Sequence, residues 1–455
     1  MLVLYLATVS ADAIRKLAGL PSATSAVLYI LTGVAYAFLL PKVAGRSRLA
    51  PRSLPVLLAL LSLWCAAEAV AQQIPVAVAL LGWVSYVFFV PLFYIGAELM
   101  ADDRRAARAL RIVAVAGGVV GLGAIASAIL GQGAPAVLQP IVPSVAVHSS
   151  ATGNIYLAPS VFATAEEASE QLLIALFAWF ALAQLRYARL GRTASTVLGV
   201  LIAVGLFATA RRADILVAVM GVAGLTLLGL AARRGRSRHA TATARGRLGP
   251  ALLLTAAGSV VLLSLLGAGK VLPFFASGSN AESAVRFMFS PAHPAALTGQ
   301  GPGTSTQGAD VVGAAAYTGV NMQGSYTAYV LGGRSFLTAE GGLTKTWLEL
   351  GIAGVVLYAG VFAAVLGPLL RRLGRLDGVG RALTMLAIAL GVIFLKGHQS
   401  LDNPLVQPLF WLAVGGAWGR LRAAGHRRHH QAGAPQRTAP HPWRSRGFAQ
   451  PSVPA

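Results

Sequence analysis

The sequence predicts an all-α, polytopic integral membrane protein with about 10–12 transmembrane helices and a long external loop. Of its 455 residues, 56% are apolar and only 11% are charged, and the mean hydropathy is +0.68. Soluble domains contain about 45–50% apolar and about 25% charged residues, so a soluble globular protein is excluded. The basic residues that give the net charge of +22 lie mostly between long apolar runs. This placement indicates contact with membrane lipids and no nucleic-acid partner.

Each predicted span is a run of about 20 mostly apolar residues, the length that crosses the hydrocarbon core of a bilayer as a helix. The opening stretch 1–14 is too short to span, and no signal-peptide cleavage pattern follows it. The runs lie near 22–41, 54–72, 75–98, 110–130, 168–187, 194–210, 213–232, 249–269, 343–370, 382–396 and 404–420.

The distribution of Lys and Arg predicts the orientation of these spans, because basic residues in short loops stay in the cytoplasm. Of the 37 basic residues, 28 fall in one set of alternate loops and in the C-terminal tail. The remaining loops are therefore predicted to be external. The chain divides into N-terminal helices (1–270, with a first external loop at 131–167), a long external loop (271–339), C-terminal helices (340–420) and a disordered, basic cytoplasmic tail (421–455).

Arg211 and Arg212 lie on the predicted external side, in a connection so tight that the flanking apolar runs almost touch. The positive-inside tendency disfavours arginines there. A guanidinium group matches phosphate oxygens bidentately, so a lipid-linked phosphate is a natural ligand. The alternative is structural: Asp214 pairs with Arg211 at i,i+3, and the other arginine reaches to the interface.

Two carboxylates lie at the external end of the helix that follows the long loop. Glu349 has Lys345 one turn before it as a local partner, which favours a structural role, whereas Glu340 has no such partner on its own helix. Glu340 is therefore a candidate general base near the external arginines. The alternative is a first-turn glutamate that the helix dipole favours.

The segment with Gly299, Gly301 and Gly303 resembles a glycine-rich phosphate loop. No strand precedes it and no P-loop lysine follows it, so a Rossmann or Walker site is excluded and a flexible loop is the alternative. The sequence has one cysteine, Cys65, and no Asp-x-Asp pair, so no metal site and no cofactor are expected.

These segments together resemble the O-antigen ligase and O-antigen polymerase family of bacterial polysaccharide assembly proteins. The run from Ala210 to Ala218 is similar to the family's Ser-Arg-x-x-Leu-Leu motif, with Arg212 on the motif arginine and Arg211 where serine is usual. Arg286 and the glycines at 299–303 resemble its second external arginine and Gly-x-Gly-x-Gly loop. The segment from Glu340 to Gly354 is similar to its entry into the helix after the long loop, with Glu340 where ligases carry His-Asn and many polymerases carry Glu.

The resemblance implies an inverting, metal-independent glycosyltransferase at the external face of the bacterial inner membrane, with polymerase favoured over ligase. Its donor would be a polyprenyl-diphosphate-linked glycan and its acceptor a second glycan, with other polysaccharide assembly proteins as further partners. Arg212 and Arg286, assisted by Arg211, would bind the diphosphate, and Glu340 would accept the proton of the attacking hydroxyl. Two alternatives remain open: a lipid-linked oligosaccharide flippase or other transporter, and a noncatalytic assembly partner.

Overall fold

The computed structural model is predominantly helical, in agreement with the predicted class. It describes residues 14, 18, 26–44, 51–140, 147–150, 153–162, 164–183, 185, 191–234, 298–306, 316–322, 326–331, 334–339, 342–396 and 406–433. The described helices are α1 (Ala26–Ala44), α2 (Ser53–Ala71), α3 (Val76–Val87), α4 (Leu92–Ala101), α5 (Asp103–Leu130), α6 (Ala165–Leu182), α7 (Arg192–Ala208), α8 (Arg212–Arg234), α9 (Gly342–Arg371), α10 (Gly378–Lys396) and α11 (Val406–Gly433).

Four helical segments in the described ranges are long and apolar enough to cross a membrane. They are Ser53–Ala71, Val76–Ala101 (which comprises α3 and α4), Asp103–Gly133 and Gly342–Arg371. Shorter apolar helical stretches lie at Thr32–Pro41, Thr193–Ala208, Asp214–Leu227 and Gly378–Phe394. The total of about 10–12 spans stays a prediction, because the run at 249–269 lies outside the described residues.

The helix ends follow local capping chemistry. The Asp102 carboxylate accepts hydrogen bonds from the backbone N–H groups of Arg104 (2.8 Å) and Arg105 (2.9 Å) before α5. These hydrogen bonds lower the pKa of the exposed Asp102 carboxyl group, and the bond from Arg105 has the largest effect. Thr164 and Glu167 form a capping box that begins α6.

Helix α6 lies at the centre of the fold, with almost every residue buried, and packs against α5, α7 and α10. Small residues allow close helix contacts elsewhere. Gly415 and Gly419 of α11 approach the backbone of α4 at Phe93 and Ala97, and Gly205 of α7 meets Gly121 of α5. Large apolar side chains such as Ile30, Val70 and Ile129 stay exposed on outer helix faces, as lipid-facing side chains do.

The two predicted external loops contain short strands that the sequence analysis did not predict. Strands β1 (Val147–Ser150) and β2 (Gly153–Tyr156) pair antiparallel in the first loop. In the long loop, β3 (Ala316–Met322), β4 (Tyr326–Leu331) and β5 (Arg334–Ala339) form an antiparallel meander in that order. The β4–β5 register pairs Tyr326 with Ala339 at one end and Leu331 with Arg334 at the other.

Helix α11 also runs to Gly433, beyond the predicted boundary of the disordered tail at 421. Residues 421–433 are rich in Ala and Arg, two residues with high helix propensity, which favours a helix even without an apolar face. Residues 434–455 of the predicted tail lie outside the described residues.

Candidate functional site

Helix α9 is broken at Gly351, whose φ of 62° and ψ of −167° are not helical. A break inside a helix leaves carbonyl groups without their intrahelical partners. Here the Leu348 carbonyl accepts from the backbone N–H of Gln300 (2.6 Å), and the Glu349 carbonyl accepts from that of Gly301 (3.0 Å). The Leu350 carbonyl accepts from the indole N–H of Trp64 on α2, at 2.8 Å. Residues 298–306, named here the glycine loop, therefore fill the break together with α2.

The three glycines predicted as site residues lie in this loop, and each has a positive φ: 79° at Gly299, 106° at Gly301 and 88° at Gly303. A Cβ on Gly299 would collide with the Glu349 carbonyl, and one on Gly303 would collide with that of Val78. A Cβ on Gly301 would meet the side chain of Ile74. Close packing against α3 and α9 thus explains why these positions are glycine.

The backbone N–H groups of the glycine loop are largely used inside the protein. Those of Gln300, Gly301, Thr304, Ser305 and Thr306 all donate to protein acceptors. A phosphate cradle needs N–H groups that point at the ligand. The phosphate-binding role of the loop stays a prediction, whereas the structure contains its hydrogen bonds to α9.

The Glu349 carboxylate is fully buried and holds the loop by its side chain as well. Its Oε1 accepts from the Ser305 backbone N–H (2.9 Å) and from the Thr306 hydroxyl (2.9 Å). Its Oε2 accepts from the Tyr86 hydroxyl of α3, also at 2.9 Å. These three donors supply the polar contacts that a buried carboxylate requires.

Lys345 is also buried, one turn before Glu349 on α9. Its Nζ lies 3.4 Å from the Ser85 hydroxyl oxygen and 5.8 Å from the centre of the Tyr86 ring. The Gln407 side-chain amide of α11 donates to the Ser85 carbonyl. A polar cluster inside the helical bundle therefore links α3, α9, α11 and the glycine loop.

Arg211 and Arg212 lie at the junction of α7 and α8, as the tight connection in the sequence indicated. Helix α7 ends at Ala208, Ala210 has a positive φ of 55°, and Arg212 is the first residue of α8. The guanidinium group of Arg211, 36% exposed, forms an ion pair with Glu166 at 2.9 Å. Asp214, the partner that the sequence alternative named for Arg211, accepts a hydrogen bond from the Ser169 hydroxyl.

Two further predicted site residues, Arg286 and Glu340, lie outside the described residues. The structure thus brings Gly299, Gly301 and Gly303 together against α9, and it places Arg211 against α6.

Sequence reasoning missed Tyr86, Trp64, Ser305 and Thr306 as partners of the α9 break. The available signal was a glutamate in an apolar helix, which requires buried donors. The hydroxyl-rich Thr304–Thr306 segment, directly after the glycines, could have supplied them.

Across the described ranges, no group of three or more His, Cys, Asp or Glu residues could hold a metal ion. A scan against protein-family models finds no match, and a search of the curated proteins finds no related sequence. The class of the protein rests on its fold alone: it is a predominantly helical protein with several helices long and apolar enough to cross a membrane.

Proposed function

We propose that this protein is a multi-pass glycosyltransferase of the bacterial cytoplasmic membrane that uses a polyprenyl-diphosphate-linked oligosaccharide on the external face. The observation that carries the proposal is the tight turn that places Arg211 directly before the N-terminus of α8, where Arg212 begins the helix. The N-terminus of a helix carries partial positive charge, so basic residues in this part of the sequence favour an anionic partner. Glu166 supplies one carboxylate to Arg211, and a diphosphate offers the bidentate oxygens that arginine prefers.

In the proposed reaction, a hydroxyl oxygen of the acceptor glycan attacks the anomeric carbon of the donor. The bond between that carbon and the diphosphate oxygen breaks, and the polyprenyl diphosphate leaves with the bonding electrons. Glu340 accepts the hydroxyl proton, while Arg212 and Arg286, assisted by Arg211, stabilise the charge on the leaving diphosphate. Attack from the side opposite the leaving group inverts the anomeric centre.

A polymerase fits this chain better than a ligase. The support is the resemblance to the O-antigen ligase and polymerase family, in which Glu340 occupies the position where ligases carry His-Asn. The acceptor is then a second lipid-linked glycan, and the product is a longer chain on the same kind of lipid.

The test is elongation of a lipid-linked oligosaccharide by the purified protein in detergent, without added nucleotide or metal. Arg212→Lys is expected to lower the rate nearly as much as Arg212→Ala, about ten- to a hundredfold. Lysine retains the positive charge, but it lacks the planar guanidinium group that binds two phosphate oxygens at once. Glu340→Gln is expected to lower turnover about 10²–10⁴-fold and to leave donor binding largely intact.

The control is Arg371→Ala, which removes an exposed arginine from the C-terminus of α9. Glu340 precedes the other end of this helix in the sequence. Full activity of Arg212→Ala at normal membrane levels would return Arg212 to a structural role. An active Glu340→Gln protein would exclude the general-base role.

A transporter of lipid-linked oligosaccharides is the second candidate, and one observation favours it. Glu68, Lys345 and Glu349 are buried in helices that could cross a membrane, where ionisable side chains often mark a transport path. Proteoliposomes that translocate a labelled lipid-linked oligosaccharide without lengthening it would support this candidate over the glycosyltransferase.

A further inference from the structure

We propose that the outer face of α5 is a binding site for an anionic phospholipid, with the headgroup phosphate at Arg104, Arg108 and Arg111 and an acyl chain along the apolar residues that follow. The proposal goes beyond the proposed glycosyltransferase reaction and does not depend on it.

Six residues form one continuous row on the surface of α5, named here the α5 stripe. Their spacing of four, three, four, four and three positions keeps them within about 45° of one direction around the helix. They are Arg104, Arg108, Arg111, Val115, Val119 and Leu122. Arg104 and Arg108 are exposed and Arg111 is half-buried. The three apolar side chains are 46%, 63% and 57% exposed, so the whole row is open to the surroundings of the protein.

The stripe matches the dimensions of a bilayer. Ile129, 78% exposed, continues the same face and lies eighteen residues after Arg111. At about 1.5 Å per residue this distance is about 27 Å, close to the hydrocarbon thickness of about 30 Å. The segment Asp103–Gly133 is itself long and apolar enough to cross a membrane. Arginines at one membrane surface therefore leave the apolar part of the stripe along the acyl chains.

The acidic residues around the start of α5 contact other groups. The Asp102 carboxylate accepts from backbone N–H groups, and Asp103 forms an ion pair with Arg420. Glu98 lies 4.0 Å from Arg105, which is outside the stripe. The helix N–H groups thus have a protein carboxylate, and an anion at this site would contact the arginine side chains of the stripe.

Helix α7 provides a second apolar wall beside the stripe. Leu198 of α7 packs directly on Gly118 of α5, and Leu201 packs on Gly121, so the two helices run parallel. Val197 and Val200 of α7 are 52% and 37% exposed. The parallel arrangement also separates this site from Arg211, which follows the far end of α7.

These features together select an anionic phospholipid. Guanidinium groups bind phosphate oxygens bidentately, and basic clusters beside a membrane span attract anionic headgroups. A soluble anion would use only the arginines, whereas a phospholipid also covers the exposed apolar residues that follow them on the same face.

The experiment uses the full-length protein in phosphatidylcholine vesicles that contain a variable fraction of phosphatidylglycerol brominated on its acyl chains. In a Cys65→Ala background, Val115→Cys carries a fluorescent bimane label one turn after Arg111. Bromine quenches a nearby fluorophore, so quenching against the fraction of brominated lipid gives the binding constant of phosphatidylglycerol relative to phosphatidylcholine at this position.

The relative binding constant at the Val115 position is expected to be at least about fivefold in favour of phosphatidylglycerol. Arg104→Gln combined with Arg108→Gln is expected to lower it below about twofold. Both arginines are exposed, so their substitution carries little risk to folding. Excess glycerol 3-phosphate, which has the headgroup chemistry without acyl chains, is expected to leave the quenching unchanged.

Two matched controls separate the stripe from general charge effects. Arg105→Gln removes the same charge one residue away, from a side chain that is 63% exposed and lies beside Glu98, and should change the binding constant less than about twofold. A label at Ile129→Cys reports the same face at the other end of α5, where residues 131–140 contain no Lys or Arg. Its relative binding constant should be close to one and should not respond to the arginine substitutions.

A relative binding constant near one at the Val115 position of the otherwise unsubstituted protein would overturn the site. Equal losses in Arg105→Gln and in the double variant would also overturn it, because total charge would then attract the lipid without a specific face. Displacement of phosphatidylglycerol by glycerol 3-phosphate would assign the arginines to a free phosphate and contradict the lipid.

Discussion

At the scale of single residues, Arg420 links α11 to three neighbouring segments at the predicted cytoplasmic side. Its guanidinium group is 4% exposed and forms ion pairs with Asp103 at the start of α5 and with Asp377 just before α10. It also donates to the Met100 carbonyl of α4, at 3.3 Å. One planar fork on α11 therefore satisfies acceptors on three neighbouring segments, an arrangement that lysine cannot reproduce.

Arg420→Ala is expected to lower the free energy of unfolding by about 1.5–3 kcal/mol. The lower end of that range is expected, because the Asp103 and Asp377 side chains are 32% and 42% exposed and water can replace part of the lost contact. Arg420→Lys should recover less than half of the loss. Unfolding of the detergent-solubilised protein measures the effect, with the exposed Arg371→Ala as control; equal stability of Arg420→Ala and the unsubstituted protein would contradict the prediction.

At the scale of elements, the glycine loop and the broken helix α9 form one packed unit. The break would expose carbonyls inside the bundle if the loop were absent, and the loop would leave its own N–H groups unsatisfied without α9 and its neighbours. Gly303 is the tightest point of this contact, because it lies directly against Val78 and Gly82 of α3.

Gly303→Ala is expected to destabilise the protein by at least about 2 kcal/mol, because alanine is strained at a φ of 88° and its Cβ overlaps backbone atoms. Gly133→Ala is the control, since no heavy atom lies within 4 Å of a Cβ there, and its effect should stay within about 0.5 kcal/mol. Both values come from unfolding in detergent. Similar stabilities for the two variants would mean that the loop is not held against α3.

At the scale of the whole molecule, the charge asymmetry predicts which helix ends face the cytoplasm. Gln132, after α5, is exposed on the predicted external side, and Gly374, after α9, is exposed on the predicted cytoplasmic side. Gly374 also has open space around it, so a cysteine fits there without strain.

In a Cys65→Ala background, Gln132→Cys is expected to react with a membrane-impermeant maleimide in intact cells. Gly374→Cys is expected to react only after the membrane is permeabilised, because its loop carries the basic residues that stay inside. The reverse pattern would invert the topology and remove Arg211 and Arg212 from the external face.

The sequence by itself determined the helical class, the positions of most described helices and the tight turn at Arg211. These features depend on local properties: the length of an apolar run, the chemistry of a helix cap and the shortness of a connection. The strands in the two loops that are predicted to be external were missed, because short strands without a clear alternation of apolar residues give a weak local signal.

Only the tertiary structure decided which partners the buried polar side chains have. The sequence analysis named Lys345 of the same helix as the local partner of Glu349. The structure shows that Glu349 also accepts hydrogen bonds from Tyr86, 263 positions away, and from Ser305 and Thr306, more than 40 positions away. The glycines at 299–303 suggested a flexible loop or a phosphate cradle. In the structure these glycines are buried and pack against α3 and α9. A buried charge specifies that donors must be present, but the chain can supply them from any segment, and only the folded arrangement of helices selects which one.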